Sequence, residues 1–186
     1  MSRRRFSAED WLDLAISALA KDGPDALKLD AICARAGLTK GSFYHHFDDH
    51  NAFLRAIIDL WRKRQTDDVI AETSTHEDPE AVIDALLEHA LKIDYQLELG
   101  IRELARKDPE IARTVREIDD VRVTFMAQIY AKRFNRPPEE VRDAAYLEYS
   151  AFSGFMLLDP MMPEDRQRHL ADLYDRIVVT HFERDA

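Results

Sequence analysis

The sequence predicts an all-α protein, on three observations. Between the prolines, apolar residues recur at the three- and four-residue spacing of a helix. Only 5 glycines occur in 186 residues, and three of them lie close together near the N-terminus. The tripeptide Asp-Pro-Glu occurs at 78–80 and at 108–110, where it supplies an N-cap, a proline at the first helical position and an acid near the positive helix end. We therefore expect a tightly turned N-terminal part followed by longer helices.

Capping residues predict the first two helices. Ser7 and Asp10 have the spacing of a capping box at the start of helix one, and Gly23 ends that helix. Helix two covers residues 29–36. It stops at Gly37, which can take the left-handed conformation without a side-chain penalty.

The next two helices follow in the same way. Thr39 is a good N-cap for a third helix that extends through Phe47. Asp48 or Asp49 caps a fourth, from about residue 50 to 71. Helices two and three are therefore joined by only a few residues.

A polar segment at 74–78 lacks apolar periodicity, and it predicts a joint between the N-terminal module and a longer helical body. Prolines at the first helical position indicate where body helices begin, at Pro79, Pro109, Pro138 and Pro163. The body is therefore also expected to be helical.

The formal net charge is -10, which as an average opposes binding to DNA phosphates. The charge is unevenly distributed, however. Residues 1–65 hold 11 Lys and Arg against 9 Asp and Glu, whereas the remainder holds 15 against 27. Only the N-terminal end is therefore expected to approach DNA.

Length and composition limit the class of protein. A chain of 186 residues with 46% hydrophobic residues can bury a core but is too short for a large multidomain enzyme. Cys33 has no partner for an intrachain disulfide, which fits a reducing compartment. No apolar run approaches the ~18 residues of a membrane span, so we expect a cytoplasmic protein.

A helix, a turn with glycine at its first corner and a second short helix form a helix-turn-helix, whose second helix enters the DNA major groove. Helical bundles that do not bind DNA share this geometry, so the residue types must show whether the motif binds DNA. Leu38, Phe43 and Phe47 are spaced to anchor the second helix from beneath. Its other side carries small, basic and hydrogen-bonding residues suited to DNA, namely Lys40, Gly41, Ser42, Tyr44, His45 and His46.

The segment Gly-Leu-Thr-Lys-Gly-Ser-Phe-Tyr-His-His-Phe at 37–47, with Leu-Asp-Ala-Ile-Cys at 29–33 and Asn-Ala-Phe-Leu at 51–54, resembles the TetR family of transcriptional regulators. The resemblance covers roughly residues 7–60. It implies a homodimeric repressor or regulator with a DNA-binding domain at 1–50 and an effector-binding and dimerisation domain at 51–186. In this family an effector held by the body changes the distance between the two recognition helices.

The resemblance also implies the contacts with a near-palindromic operator. This chain departs from the family pattern at Lys28, where relatives carry Ser or Thr, and at His50, where they often carry Lys. Tyr44 is expected to contact a phosphate. The predicted DNA-binding residues are Arg3, Arg4, Arg5, Lys28, Thr39, Lys40, Gly41, Ser42, Tyr44, His45 and His50.

The body is rich in aromatic and methionine side chains, which suit either core packing or an apolar effector pocket with a few hydroxyls. The last two helices, about 138–158 and 163–182, are the predicted dimer surface, because the family pairs there and the final helix has a broad apolar stripe. The predicted effector-binding residues are Phe125, Met126, Tyr130, Tyr146, Tyr149, Phe152 and Met156.

Two other classes of protein stay open. One is a helical protein-interaction module that kept the turn motif but lost operator binding, and the other is a small-molecule-binding enzyme with an unrecognised site. The sequence shows no catalytic constellation and no Gly-rich phosphate loop, and His45 and His46 point about 100 degrees apart, which does not suit one metal ion. We therefore expect no enzymatic activity, no cofactor and no metal.

Overall fold

The computed structural model describes residues 6–184, and within that range the chain is helical with no β-strand. The predicted all-α fold is confirmed. A 3-10 turn at Pro24–Leu27 follows the first helix, and a π-helical turn at Lys63–Asp67 follows the fourth. The α-helices are α1 (Ala8–Asp22), α2 (Leu29–Ala36), α3 (Lys40–Tyr44), α4 (His50–Arg62), α5 (Asp68–Thr73), α6 (Pro79–Ala90), α7 (Tyr95–Lys107), α8 (Pro109–Phe134), α9 (Pro138–Leu158) and α10 (Glu164–Arg184).

The predicted capping box of α1 is present. The Asp10 backbone N–H donates to Ser7 Oγ at 3.1 Å, and the Ser7 N–H donates to Asp10 Oδ2 at 2.7 Å. Asp49 is the cap of α4, since its Oδ1 accepts from the Ala52 N–H at 2.6 Å. The two Asp-Pro-Glu starts are confirmed by Asp78 and Asp108, whose side chains accept from the N–H groups of Glu80 and Glu110.

One predicted helix end was wrong, and one predicted helix is interrupted. Helix α3 ends at Tyr44 rather than Phe47, because the chain turns so that the Phe47 ring packs on Phe43, with the ring centroids 5.2 Å apart. The predicted continuous helix from 50 to 71 is interrupted by the π turn. Thr66 in that turn is 2% exposed, and its Oγ1 accepts from Arg122 Nε at 2.8 Å.

The chain packs as two units that do not follow sequence order. The first combines residues up to Gln65 with Asp94–Arg116, and the second combines Thr66–Ile93 with the chain from Glu117 onward. The predicted domain boundary at residue 50 stays a prediction about function. Of the helices described, none is long and apolar enough to cross a membrane.

In the first unit, α7 packs against α1 and α4. Gly100 lies against α1 so closely that a Cβ there would be 2.8 Å from Leu19 Cγ. Trp61 of α4 donates from Nε1 to Glu98 Oε1 at 2.6 Å, and both side chains are buried. The carboxylate of Glu98 is therefore part of the interior of this unit.

In the second unit, a core of small and aromatic residues joins α8, α9 and α10. It comprises Val123, Ala127, Tyr130, Val141, Ala145, Val178 and Phe182. Polar side chains also link these helices. Tyr174 Oη donates to the Ala144 carbonyl at 2.6 Å, and Arg133 pairs with Asp175 and, at 2.6 Å, with Glu80.

Candidate DNA-binding surface

The turn between α2 and α3 is built by Gly37. Its φ of 65° and ψ of 30° are left-handed, a conformation that only glycine adopts without strain. The Leu38 N–H then donates to the Cys33 carbonyl at 3.0 Å, which satisfies a carbonyl at the end of α2. The turn is thereby fixed in direction, and α3 begins at Lys40.

Thr39 is the N-cap of α3, as predicted. Its Oγ1 accepts from the Ser42 N–H at 3.3 Å, and its backbone is extended. A Cβ on Gly41 would lie 3.6 Å from Thr39 Oγ1, an ordinary contact. The protein itself therefore does not require glycine at 41, and a role for Gly41 in close approach to DNA stays a prediction.

Phe43 anchors α3 from beneath and is fully buried. Its ring centroid lies 5.5 Å from that of Trp11 and 5.0 Å from that of Phe53. Tyr44, which packs edge-on to Phe43 at 5.4 Å, is 50% exposed. The anchor therefore directs one side of α3 outward.

That outward side brings together most of the predicted contacts of α3. Ser42 is half-buried, and the exposed members are Thr39, Lys40, Gly41, Tyr44 and His45. The backbone N–H groups at the start of α3 also lie here, where a helix attracts phosphate.

Basic side chains of this region are held by acidic neighbours. Lys40 Nζ lies 2.5 Å from Asp30 Oδ1, and this carboxylate raises the pKa of Lys40. Lys28 is exposed, with its Nζ 3.1 Å from Asp25 Oδ1. The charges of Lys40 and Lys28 are therefore paired in the free protein.

His50 makes a contact within the protein that gives it a structural role. Its Nε2 is 2.8 Å from the carbonyl oxygen of Leu27, which joins the start of α4 to the end of the 3-10 turn. The ring is half-buried, so a phosphate contact by His50 stays a prediction. Arg3, Arg4 and Arg5 lie outside the described residues.

The predicted effector residues lie in the second unit and differ in how far they are buried. Tyr130 and Met156 are buried, and Tyr146 is 60% exposed. Tyr149 Oη donates to Asp119 Oδ1 at 2.7 Å and accepts from Arg122 at 3.2 Å. The half-buried members are Phe125, Met126, Tyr149 and Phe152.

Tyr130 Oη donates to Glu148 Oε2 at 2.6 Å. Burial raises the pKa of both groups. Glu148 was missed by the sequence analysis, since an acid between aromatic residues on an amphipathic helix resembles a solvated position.

A groove of about 450 Å³ lies on α10, and none of the seven predicted effector residues lines it. Its walls are formed by Arg176, Ile177, Thr180, His181 and Arg184. Within residues 6–184, no three His, Cys, Asp or Glu side chains are placed to hold a metal ion.

Comparison with known proteins agrees with this geometry. Residues 12–57 match the family of bacterial regulatory proteins, tetR family. A transcriptional regulator from Rhodococcus sp. Rha1 has a TM-score of 0.78 at 17% identity, covering 94% of this chain and 97% of that protein. A TetR transcription regulator from Haloarcula marismortui has a TM-score of 0.72 at 18% identity, covering 90% and 95%. At these identities the likeness is one of fold, and no protein of curated function matches the chain.

Proposed function

We propose that this chain is a transcriptional regulator of the TetR family, since residues 12–57 match that family. It is a cytoplasmic repressor that binds a near-palindromic operator as a homodimer. A small, largely apolar effector releases or modulates it, and the protein acts by binding rather than by catalysis. The observation that carries the proposal is the anchoring of α3 by Phe43, which leaves Lys40, Tyr44 and His45 outward beside the N-terminus of that helix.

The proposed contacts divide by chemistry. Thr39, Ser42 and Tyr44 offer hydroxyls, and Lys28 and Lys40 offer point charges for phosphates. The backbone N–H group of Gly41 lies in the first turn of α3, where a phosphate is favoured. The proposed arm of Arg3, Arg4 and Arg5 adds affinity without base recognition.

Apolar side chains left exposed in the second unit support the proposed homodimer. Ile177 is 58% exposed on α10 while Val178 and Phe182 of the same helix are buried, so α10 has two apolar faces. The exposed apolar residues of α9 and α10 are Tyr146, Leu147, Leu157, Leu158, Leu173 and Ile177. A second copy of the chain would cover them by a two-fold interface.

The half-buried aromatic and methionine side chains of the second unit support the proposed effector site. Met126 and Tyr149 pack against the core of the second unit. Tyr149 presents a hydroxyl next to Arg122 and Asp119, so an apolar compound with a polar end suits this region.

The proposal is tested by footprinting on genomic DNA and by binding titrations with Lys40→Ala and Tyr44→Phe. We expect a protected near-palindrome and a loss of affinity of about tenfold for Lys40→Ala, since the dimer loses two phosphate contacts. Lys92→Ala, which removes the same charge from the second unit, is the matched control. An asymmetric site occupied by one chain, or wild-type affinity in both variants, would contradict the proposal. If the protein protects no site on DNA, a protein-interaction module is favoured instead.

A further inference from the structure

The ion pair between Lys40 and Asp30 joins the recognition helix to the helix before it. Lys40 is the first residue of α3, and Asp30 lies in the first turn of α2. Lys40 Nζ and Asp30 Oδ1 are 2.5 Å apart, and the Asp30 side chain is 81% exposed. The pair therefore lies at the surface that α3 presents.

Among the described residues, two further ion pairs near this surface differ in placement. Lys28 and Asp25 are three residues apart at the end of the 3-10 turn. Arg35 and Asp22 join α2 to the end of α1. Of these pairs, the one made by Lys40 is the one that involves α3.

A phosphate and the Asp30 carboxylate need the same donor. A lysine ammonium is a compact point charge, so it serves one close anion well at a time. If DNA takes Lys40, the ion pair is lost, and Asp30 is left near the phosphate backbone as an uncompensated negative charge. If the ion pair persists, Lys40 neutralises less of the phosphate charge, so in both cases binding is weaker.

We propose that Asp30 is an affinity-setting residue of the DNA-binding surface, which holds the Lys40 ammonium in the free protein and competes with a DNA phosphate for it. This inference rests on the proposed function. It extends that function by giving an acidic residue a negative role in DNA binding. Because phosphate contacts carry no sequence information, Asp30 lowers affinity for operator and non-operator DNA alike.

The test is Asp30→Asn, which removes the charge, keeps nearly the same shape and leaves a side chain that suits a helix start. We expect operator affinity to increase about tenfold, since a dimer has two such exposed pairs. The slope of log affinity against log salt should steepen by roughly two, one for each phosphate that Lys40 then neutralises fully. The affinity for non-operator DNA should increase by the same factor.

Asp59→Asn is the matched control, because Asp59 is an exposed acid of α4 in the same unit. A double-mutant cycle combines Asp30→Asn with Lys40→Ala. In the Lys40→Ala background, Asp30→Asn should increase DNA affinity only slightly. Asp30→Ser repeats the test with a second side chain, and thermal unfolding verifies that each variant is folded.

An equal gain in Asp30→Asn and Asp59→Asn would overturn the inference, and so would an undiminished gain in the Lys40→Ala background. Unchanged affinity and salt slope in both Asp30 variants would overturn it while the wild type still binds its operator. Failure of the wild type to bind any duplex would instead refute the proposed function, and this inference with it.

Discussion

The side chain of Phe43 holds the recognition helix in place. Helix α3 spans Lys40–Tyr44, far too short to be stable by its own hydrogen bonds. Its orientation therefore depends on the buried Phe43 ring and on the Thr39 cap. Most of the proposed DNA contacts lie on α3, so their geometry comes from residues that do not touch DNA.

The hydrogen bond from Trp61 to Glu98 is predicted to stabilise the first unit. Trp61→Phe leaves the buried Glu98 carboxylate with one donor fewer, so we expect the free energy of unfolding to fall by about 1–3 kcal/mol beyond the loss of ring volume. Trp11→Phe is the control, because Trp11 is equally buried but its Nε1 has no hydrogen-bond partner. Equal destabilisation of the two variants in urea titrations would contradict this role.

Glu148 is predicted to make stability fall as pH rises. Its pKa is raised by burial, so the folded protein holds this proton more tightly than the unfolded chain. As pH rises above the unfolded value near 4.3, the free energy of unfolding loses up to ~1.4 kcal/mol per pH unit until the folded group ionises.

The measurement is urea unfolding from pH 4.5 to 7.5 for the wild type and Glu148→Gln, whose amide still accepts from Tyr130. The variant should gain stability over the wild type as pH rises. Glu139→Gln, at the exposed start of α9, serves as the control and should run parallel to the wild type. If Glu148→Gln also runs parallel, the buried carboxyl group does not titrate as described.

Which residues could be predicted from sequence depends on the sequence separation of their contacts. The caps made by Ser7 and Thr39 bridge three residues, so local patterns predict them. Trp61 and Glu98 are 37 residues apart, and Tyr130 and Glu148 are 18 apart. Such pairs depend on how helices pack, and an isolated acid in a helix does not reveal a buried partner.

At the scale of elements, α7 is the helix that is hardest to predict from the sequence. Glu98 places a charge at a buried position, which breaks the apolar stripe, and Gly100 lowers helix propensity in the same stretch. Both are explained by packing in the first unit. The π turn after α4 likewise has no local signature, since the buried position of Thr66 depends on Arg122 of α8.

Gly100→Ala is predicted to destabilise the protein despite alanine's better helix propensity. The new Cβ would lie 2.8 Å from Leu19 Cγ and 3.2 Å from the Leu19 carbonyl oxygen, so α1 and α7 must separate. Overpacking of this kind costs about 1–3 kcal/mol, against a gain of up to ~1 kcal/mol from propensity.

Gly41→Ala is the comparison, because its Cβ makes only an ordinary contact. Thermal unfolding should show a lower midpoint for Gly100→Ala and an equal or higher one for Gly41→Ala. A stabilised Gly100→Ala would mean that α1 and α7 have room between them.

At the scale of the whole molecule, the distribution of charge fits a regulator that approaches DNA with one end. Residues 1–65 hold slightly more basic than acidic residues, whereas the remainder is strongly acidic. The net charge of -10 is therefore an average that does not apply to the N-terminal segment, which is able to approach phosphates. The exposed apolar residues of α9 and α10, in contrast, lie in the acidic remainder and suit a second copy of the chain.

The salt dependence of operator affinity tests the central claim most directly, because a DNA-binding dimer releases counterions in proportion to the phosphates it neutralises. Affinity for the footprinted duplex is measured from 50 to 200 mM salt. With about six to ten phosphate contacts per dimer, we expect affinity to fall by a factor of about 10³–10⁵ over this range. An affinity that stays level across the range would contradict DNA binding by α3.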